Sequence, residues 1–157
     1  MTAIDTRDPS RGQPAEARSR TRRIYHVLLA TDLSESSGRA TEQAITLAAR
    51  ENAVLQILAV ARNRGDRQHL ERGVELLRRR ARAAGVLATS VVWNGDAADA
   101  ILEAAWTERP DVLVVGARQH RWVARLLGSV SSKVAGEAPC RVEMVPAGWG
   151  ASGPSRR

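Results

Sequence analysis

The stretch that decides the fold is "DVLVVG", Asp111 to Gly116. Four aliphatic residues follow one another here: Val112, Leu113, Val114 and Val115. The run is too apolar to turn either face to water. Continuous apolar strands of this length belong inside a parallel sheet covered on both sides. Two more runs share the pattern, "IYHVLLAT" (24–31) and "AVLQILAV" (53–60). Between them, Ala40, Ala44, Leu47 and Ala48 lie at helical spacing, with Ser34 as a candidate N-cap and Asn52 as a stop. The sequence therefore begins as strand, helix, strand.

The alternation continues along the chain. Residues 66–84 read as a helix with Leu70, Val74, Leu77 and Ala81 on one face. Its Arg78, Arg79, Arg80 and Arg82 form a solvated face rather than a binding patch. "GVLATSVVW" (85–93) reads as a strand, and "GDAADAILEAAW" (95–106) as a helix capped by Asp96, with Pro110 beyond it. The opening stretch is the fourth strand. A helix from Ser129 to about Glu137 and a last strand, "CRVEMV" (140–145), complete the domain. Strands alternating with helices imply an α/β fold with a parallel sheet and right-handed crossovers.

Composition agrees with a single layered domain. The chain has 157 residues, enough for one real core. It is 43% hydrophobic but only 3% aromatic, so Ala, Val, Leu and Ile must build that core. The net charge is +7, and Lys133 is the sole lysine. Residues 1–23 carry six arginines against Asp5, Asp8 and Glu16, and Arg156 and Arg157 lie near the other end. Most of the excess is therefore terminal. Residues 1–23 read as a disordered basic tail, 24–146 as the folded domain, and 147–157 as a flexible tail. Solvated tails explain the charge without a nucleic-acid partner.

One cysteine, Cys140, excludes an intrachain disulfide and suits a reducing cytoplasm. In "RTRRIYHVLLATDLS", Asp32 ends the apolar run too early for a signal sequence. No stretch approaches the roughly 20 apolar residues of a membrane span.

Ligands of open α/β sheets sit beyond the carboxyl ends of strands, where the strand order reverses. The first strand ends at Thr31-Asp32 and the fourth at Gly116. If these strands are neighbours, Gly128-Ser129 brings a helix N-terminus to the same crevice. Its free N–H groups and dipole favour a phosphate. Ser129 and Ser131 add hydroxyl donors, and Asp32 can accept from a ribose. Taken singly, each of these residues has a plain structural role. Their combination at one end of the sheet carries the case.

At this point "VLLATDLSESSGRATEQAITLA", "GDAADAILEAA", "DVLVVGARQH" and "GSVSSKVAGEAPCRVEMV" together resemble the universal stress protein family, from about Ile24 to Pro146. The resemblance implies a five-stranded, Rossmann-like sheet of order 3-2-1-4-5, with helices on both faces, and a dimer. It implies ATP as ligand, with Mg2+ able to accompany it. Thr31 and Asp32 would hold the adenosine side and Val60 would line the adenine. Gly116, Gly128, Ser129, Val130 and Ser131 would hold the phosphates.

The ATP-binding members carry a glycine, two residues, a glycine, nine residues, then Gly followed by Ser or Thr. Gly116 matches the first position and Gly128-Ser129 the last. Gln119 stands where the middle glycine belongs, and only eight residues, 120–127, follow it before Gly128. A glycine there admits positive φ and close approach of phosphate, and Gln119 admits neither cheaply. Arg118, Arg121 and Arg125 are near enough in sequence to fork a phosphate instead, or to face solvent.

Two readings stay open: a regulatory protein that binds an adenine nucleotide, and a dimeric interaction module of the same fold that does not. Slow nucleotide hydrolysis is a weaker third. No nucleophile elbow, Walker lysine or metal-ligand cluster is visible, and Asp32 is the one base near the site. His26, His69 and His120 are scattered in sequence. Binding rather than catalysis is expected. The last strand is an edge in this topology. Two copies of "CRVEMV" paired antiparallel about Val142 would face Arg141 with Glu143 twice. Arg141, Val142, Glu143 and Met144 are thus the expected dimer contact.

Overall fold

A computed structural model describes residues 23–117 and 128–147. Five strands and four helices alternate: β1 His26–Ala30, α1 Gly38–Glu51, β2 Val54–Ala61, α2 Arg64–Ala83, β3 Leu87–Asn94, α3 Ala97–Glu108, β4 Val112–Ala117, α4 Ser129–Glu137 and β5 Arg141–Pro146. The strands form one sheet of order β3-β2-β1-β4-β5, and every neighbouring pair is parallel. The expected α/β architecture and strand order are observed.

The two faces of β4 explain its composition. Val112 and Val114 belong to the core beneath α1 and α2, while Leu113 and Val115 join the core beneath α3 and α4. All four are buried. β1 divides in the same way, with Val27 and Leu29 on one side and Leu28 and Ala30 on the other. Each such Leu or Val contributes about 1.5–3 kcal/mol by leaving water. A polar residue at any of these positions would therefore be expelled from one core or the other.

Caps set three of the helix boundaries. The Asp96 side chain accepts from the backbone N–H of Asp99 at 3.1 Å and starts α3. Asn52 ends α1 in the left-handed region at φ 50°, a conformation asparagine tolerates well. Asn63 caps α2 by accepting from the Asp66 N–H at 3.0 Å, so α2 starts two residues before the periodic pattern does.

Several expected details differ. Ser34 does not cap α1. It precedes a 3-10 turn, Glu35–Ser37, and its hydroxyl turns to the Asp32 carboxylate and to Ser36. β3 begins at Leu87 because Gly85, at φ 81°, is still turning the chain. β4 does not end at Gly116; it continues through Ala117, which pairs with Pro146. Cys140 lies just before β5 rather than within it. Three arginines of the α2 run are tied to acids, Arg78 and Arg79 to Glu75 and Arg80 to Glu42, while Arg82 donates to the Ala88 carbonyl.

Candidate functional site

The site begins where β1 runs out. The Thr31 N–H still donates to the Leu58 carbonyl at 2.9 Å, so the ladder extends one residue past the strand. Its side chain is buried, with Oγ1 3.1 Å from the Ser37 hydroxyl and accepting from the Leu33 N–H at 3.1 Å. The chain then reverses sharply. Leu33 takes φ 59°, rare for a branched aliphatic residue, while its side chain packs into the core beside Gly73. Asp32 Oδ1 accepts from the Ser34 N–H at 3.0 Å and from the Ser34 hydroxyl at 2.5 Å. This Asx turn fixes an exposed carboxylate at the mouth of a cavity.

Gly116 faces this turn from β4. A methyl group on it would meet Ser37 Cα at 3.3 Å and Ser37 Cβ at 3.5 Å. Glycine here lets the 3-10 turn lie directly on the strand. Gly128 is different. It caps α4 at φ −57°, and a methyl group on it would meet open space. Beyond it, the first N–H groups of α4 have no partner within the helix. Ser131 Oγ donates to the Gly116 carbonyl at 3.2 Å, which fastens the start of α4 to β4. Ser131 thus has a role within the fold and also lines the cavity formed here.

These elements enclose a cavity of about 300 Å³, at the low end for small-molecule sites. Thr31, Asp32, Val60, Gly116, Gly128, Ser129, Val130 and Ser131 all line it. Leu58, Val60, Ala97 and Ile101 give it an apolar wall, and Thr31, Asp32, Ser36, Ser37 and Ser129 a polar one. It lies between the carboxyl ends of β1 and β4, where the sheet order reverses. Arg118, Gln119 and Arg121, with His120 and Arg125, lie outside the described residues.

Sequence reasoning missed Ser36, Ser37, Arg62, Ala97 and Ile101. The signal for Arg62 was present. Counting by twos from Val60 along β2 reaches it on the same face. Ala97 and Ile101 are four apart on α3 and share one side of the helix. Ser36 and Ser37 belong to a short turn without periodicity, which no pattern foretells.

Other candidates fall elsewhere. The His26 backbone N–H donates to the Asp111 carboxylate at 2.8 Å, at the opposite end of the sheet from the cavity. His69 is exposed on α2. Lys133 pairs with Asp99 at 2.5 Å and so ties α4 to α3; the Asp99 carboxylate raises the pKa of its ammonium. Burial pushes the Cys140 thiol up, away from the reactive thiolate. Among the described residues, no three His, Cys, Asp or Glu side chains converge as a metal site. No helix among them is long and apolar enough to cross a membrane.

β5 is an edge of the sheet. Arg141 and Glu143 share one face, where Glu143 pairs with Arg141 and accepts from Gln43 Nε2 at 2.7 Å. Val142 and Met144 pack on the other face against the core beneath α3 and α4.

Comparison with known proteins agrees with this geometry. The model of the universal stress protein family matches residues 24–146. A universal stress protein of Methanothermobacter thermautotrophicus is 43% identical over 56 residues, 36% of this chain and 38% of that protein. The aligned stretch thus spans well under half of that relative. A universal stress protein solved in complex with cAMP is 32% identical, with 80% of this chain and 98% of that chain covered and a TM-score of 0.68. A family protein from Arabidopsis thaliana with AMP bound is 23% identical, with 83% and 97% covered and a TM-score of 0.62; at that identity it speaks for the fold. A family match across most of the chain, on a sheet of the expected order, establishes that this protein belongs to the universal stress protein family.

Proposed function

We propose that this protein binds an adenine nucleotide in the cavity between β1 and β4 and acts as a stress-response regulator rather than an enzyme. One observation carries the reading. A carboxylate on a rigid turn, a helix N-terminus and an apolar wall converge on a single cavity at the switch point of the sheet. Each part has a chemical counterpart in the ligand. The first N–H groups of α4, from Ser129 to Ser131, meet phosphate oxygens, helped by the helix dipole. Asp32 accepts from the ribose hydroxyls. Leu58, Val60 and Ile101 cover the base. Thr31 and Gly116 shape the floor. ATP is the ligand proposed, and Mg2+ would arrive bound to its phosphates. Arg118 and Arg121 are proposed phosphate contacts in place of the middle glycine that Gln119 replaces. The cAMP-bound relative at 32% identity supports an adenine nucleotide as the class.

The same proposal has the chain, folded over 24–146 between two basic tails, acting in the cytoplasm as a homodimer. Its contact is β5 with β5, through Arg141, Val142, Glu143 and Met144. In an antiparallel pair about Val142, the Arg141–Glu143 contact formed within one chain would be shared across the axis.

The test is to denature the purified protein, analyse the supernatant for nucleotide, and titrate the emptied and refolded protein with ATP by calorimetry. Released adenine nucleotide or saturable heat is expected. No nucleotide and no heat at millimolar ATP would favour the interaction module instead.

A further inference from the structure

Among the described residues that line the cavity, only Asp32 and Arg62 carry a formal charge. Asp32 belongs to the turn already described. Arg62 is unexplained. It follows the last residue of β2, and strand alternation sets it on the same side as Val60, over the core beneath α3 and α4. It is exposed, and among the described residues it has no hydrogen bond or ion pair. Several arginines of α2 are engaged, Arg67 with Glu71 and Asn94, Arg78 and Arg79 with Glu75, and Arg80 with Glu42. Arg64 and Arg72 also lack a partner among the described residues, but of these arginines only Arg62 lines the cavity. An uncommitted guanidinium at the wall of a cavity is a group in search of a ligand.

The sheet says which part of the ligand it meets. β2 is separated from β4 by β1. With strands about 4.8 Å apart, Arg62 issues roughly 10 Å to the side of β4, where the N-terminus of α4 stands. A phosphate on that terminus is at the far end of the cavity. On the same side of the sheet as Arg62, Leu58 and Val60 of β2 and Ala97 and Ile101 of α3 line the cavity, an apolar wall that suits a flat ring and not an anion. A guanidinium plane stacks on an aromatic face, holding it by cation–π attraction without needing a hydrogen-bond partner.

We infer that Arg62 is a base-recognition residue: its guanidinium lies over the purine face and closes the end of the cavity opposite the phosphates. The inference rests on the nucleotide reading above and adds a contact to it. It also separates this chain's base affinity from its phosphate affinity. Removing Arg62 weakens binding of nucleoside and nucleotide by the same factor, because the lost contact is common to both.

The experiment is calorimetric titration of the full chain and of Arg62→Ala with AMP, and with adenosine by competition. Arg62 is exposed and lies past the strand, so the variant keeps its fold, and a thermal melt verifies this. We expect both ligands to weaken by about 2- to 10-fold. Arg62→Lys, which retains charge without the plane, should recover only part of the loss. A variant that loses AMP affinity but holds adenosine unchanged would make Arg62 a phosphate contact and overturn the inference. A variant matching the wild type for both ligands would also overturn it, while leaving the nucleotide reading standing. A wild type that binds neither AMP nor ATP removes both.

Discussion

The two glycines that flank the loop do different work, and substituting each in turn separates packing from binding. In Gly116→Ala, the new methyl stands 3.3 Å from Ser37 Cα, closer than ordinary contact, so the 3-10 turn must retreat by a few tenths of an ångström. That turn is not free to move. Ser37 N–H donates to the Ser34 carbonyl at 3.0 Å and its hydroxyl to the same carbonyl at 2.8 Å. The hydroxyl also meets Thr31, and the Ser37 carbonyl accepts from the Thr41 hydroxyl at 3.2 Å. Overpacking of this kind costs about 1–3 kcal/mol. Replacing glycine at an ordinary φ returns about 0.4–1 kcal/mol through the unfolded chain. At the middle of these ranges the net loss is about 1.3 kcal/mol, a fall in Tm of about 3–7 °C.

Gly128→Ala presents the opposite case. Its methyl meets nothing within 4 Å. The weaker cap and the stiffer unfolded chain nearly cancel, so Tm should move by less than about 3 °C. Yet that methyl projects beside the helix terminus proposed to hold phosphate. A misfit of about 1–3 kcal/mol there lowers ATP affinity about 5- to 100-fold. Differential scanning calorimetry and ATP titration read the two effects separately. Wild-type Tm in Gly116→Ala would refute the packing argument. Wild-type affinity in Gly128→Ala would refute the approach of phosphate to this terminus.

Three further outcomes are expected. Asp32→Ala removes a charged acceptor from the ribose position and should weaken ATP binding by about 10- to 100-fold, measured by calorimetry; an unchanged affinity would remove Asp32 from the site. Glu143→Arg sets like charges opposite each other across the proposed β5 pair and should give a monomer in sedimentation equilibrium, whereas an unchanged dimer mass would contradict that interface. The hydrogen bonds from Arg78 and then Arg79 hold the Glu75 carboxyl down to about 2. A depressed carboxylate stabilises the fold above its unfolded pKa, near 4.5, and loses that effect as pH falls toward 2. The Tm gap between wild type and Glu75→Gln should therefore be full at pH 6 and shrink steadily between pH 4.5 and 2, and a gap independent of pH would contradict the pairing.

Much of the fold was legible because burial on both faces leaves an unmistakable record. Val112 to Val115 could only be a central strand, and the alternation of runs with helical periods then left few topologies. Asp96 and Asn52 marked helix ends by their own chemistry. The turn after β1 was less legible. "DLSESS" contains four residues able to bond locally, and sequence alone does not choose among their partners. Ser34 was therefore assigned to α1 although it serves Asp32. Ser131 lines the cavity as its place in the sequence implies, but its tie to the Gly116 carbonyl is a second role that no pattern announces. Each depends on which carbonyl or carboxylate lies within about 3 Å, a fact of packing rather than of pattern. Arg62 is hidden for another reason: it sits one residue beyond β2, where the apolar run that marks the strand has ended.

The central claim is that an adenine nucleotide occupies the crevice between β1 and β4, and its most direct test is residue-resolved. Nitrogen-15-labelled protein is titrated with ATP and the amide shifts are followed by NMR. The account predicts saturable changes gathered at Thr31, Asp32, Gly116 and Gly128 to Ser131, with Ile24 to His26 and Asn52 to Val54, at the other end of the sheet, unmoved. Saturable shifts centred away from the crevice, or none at millimolar ATP, would contradict it.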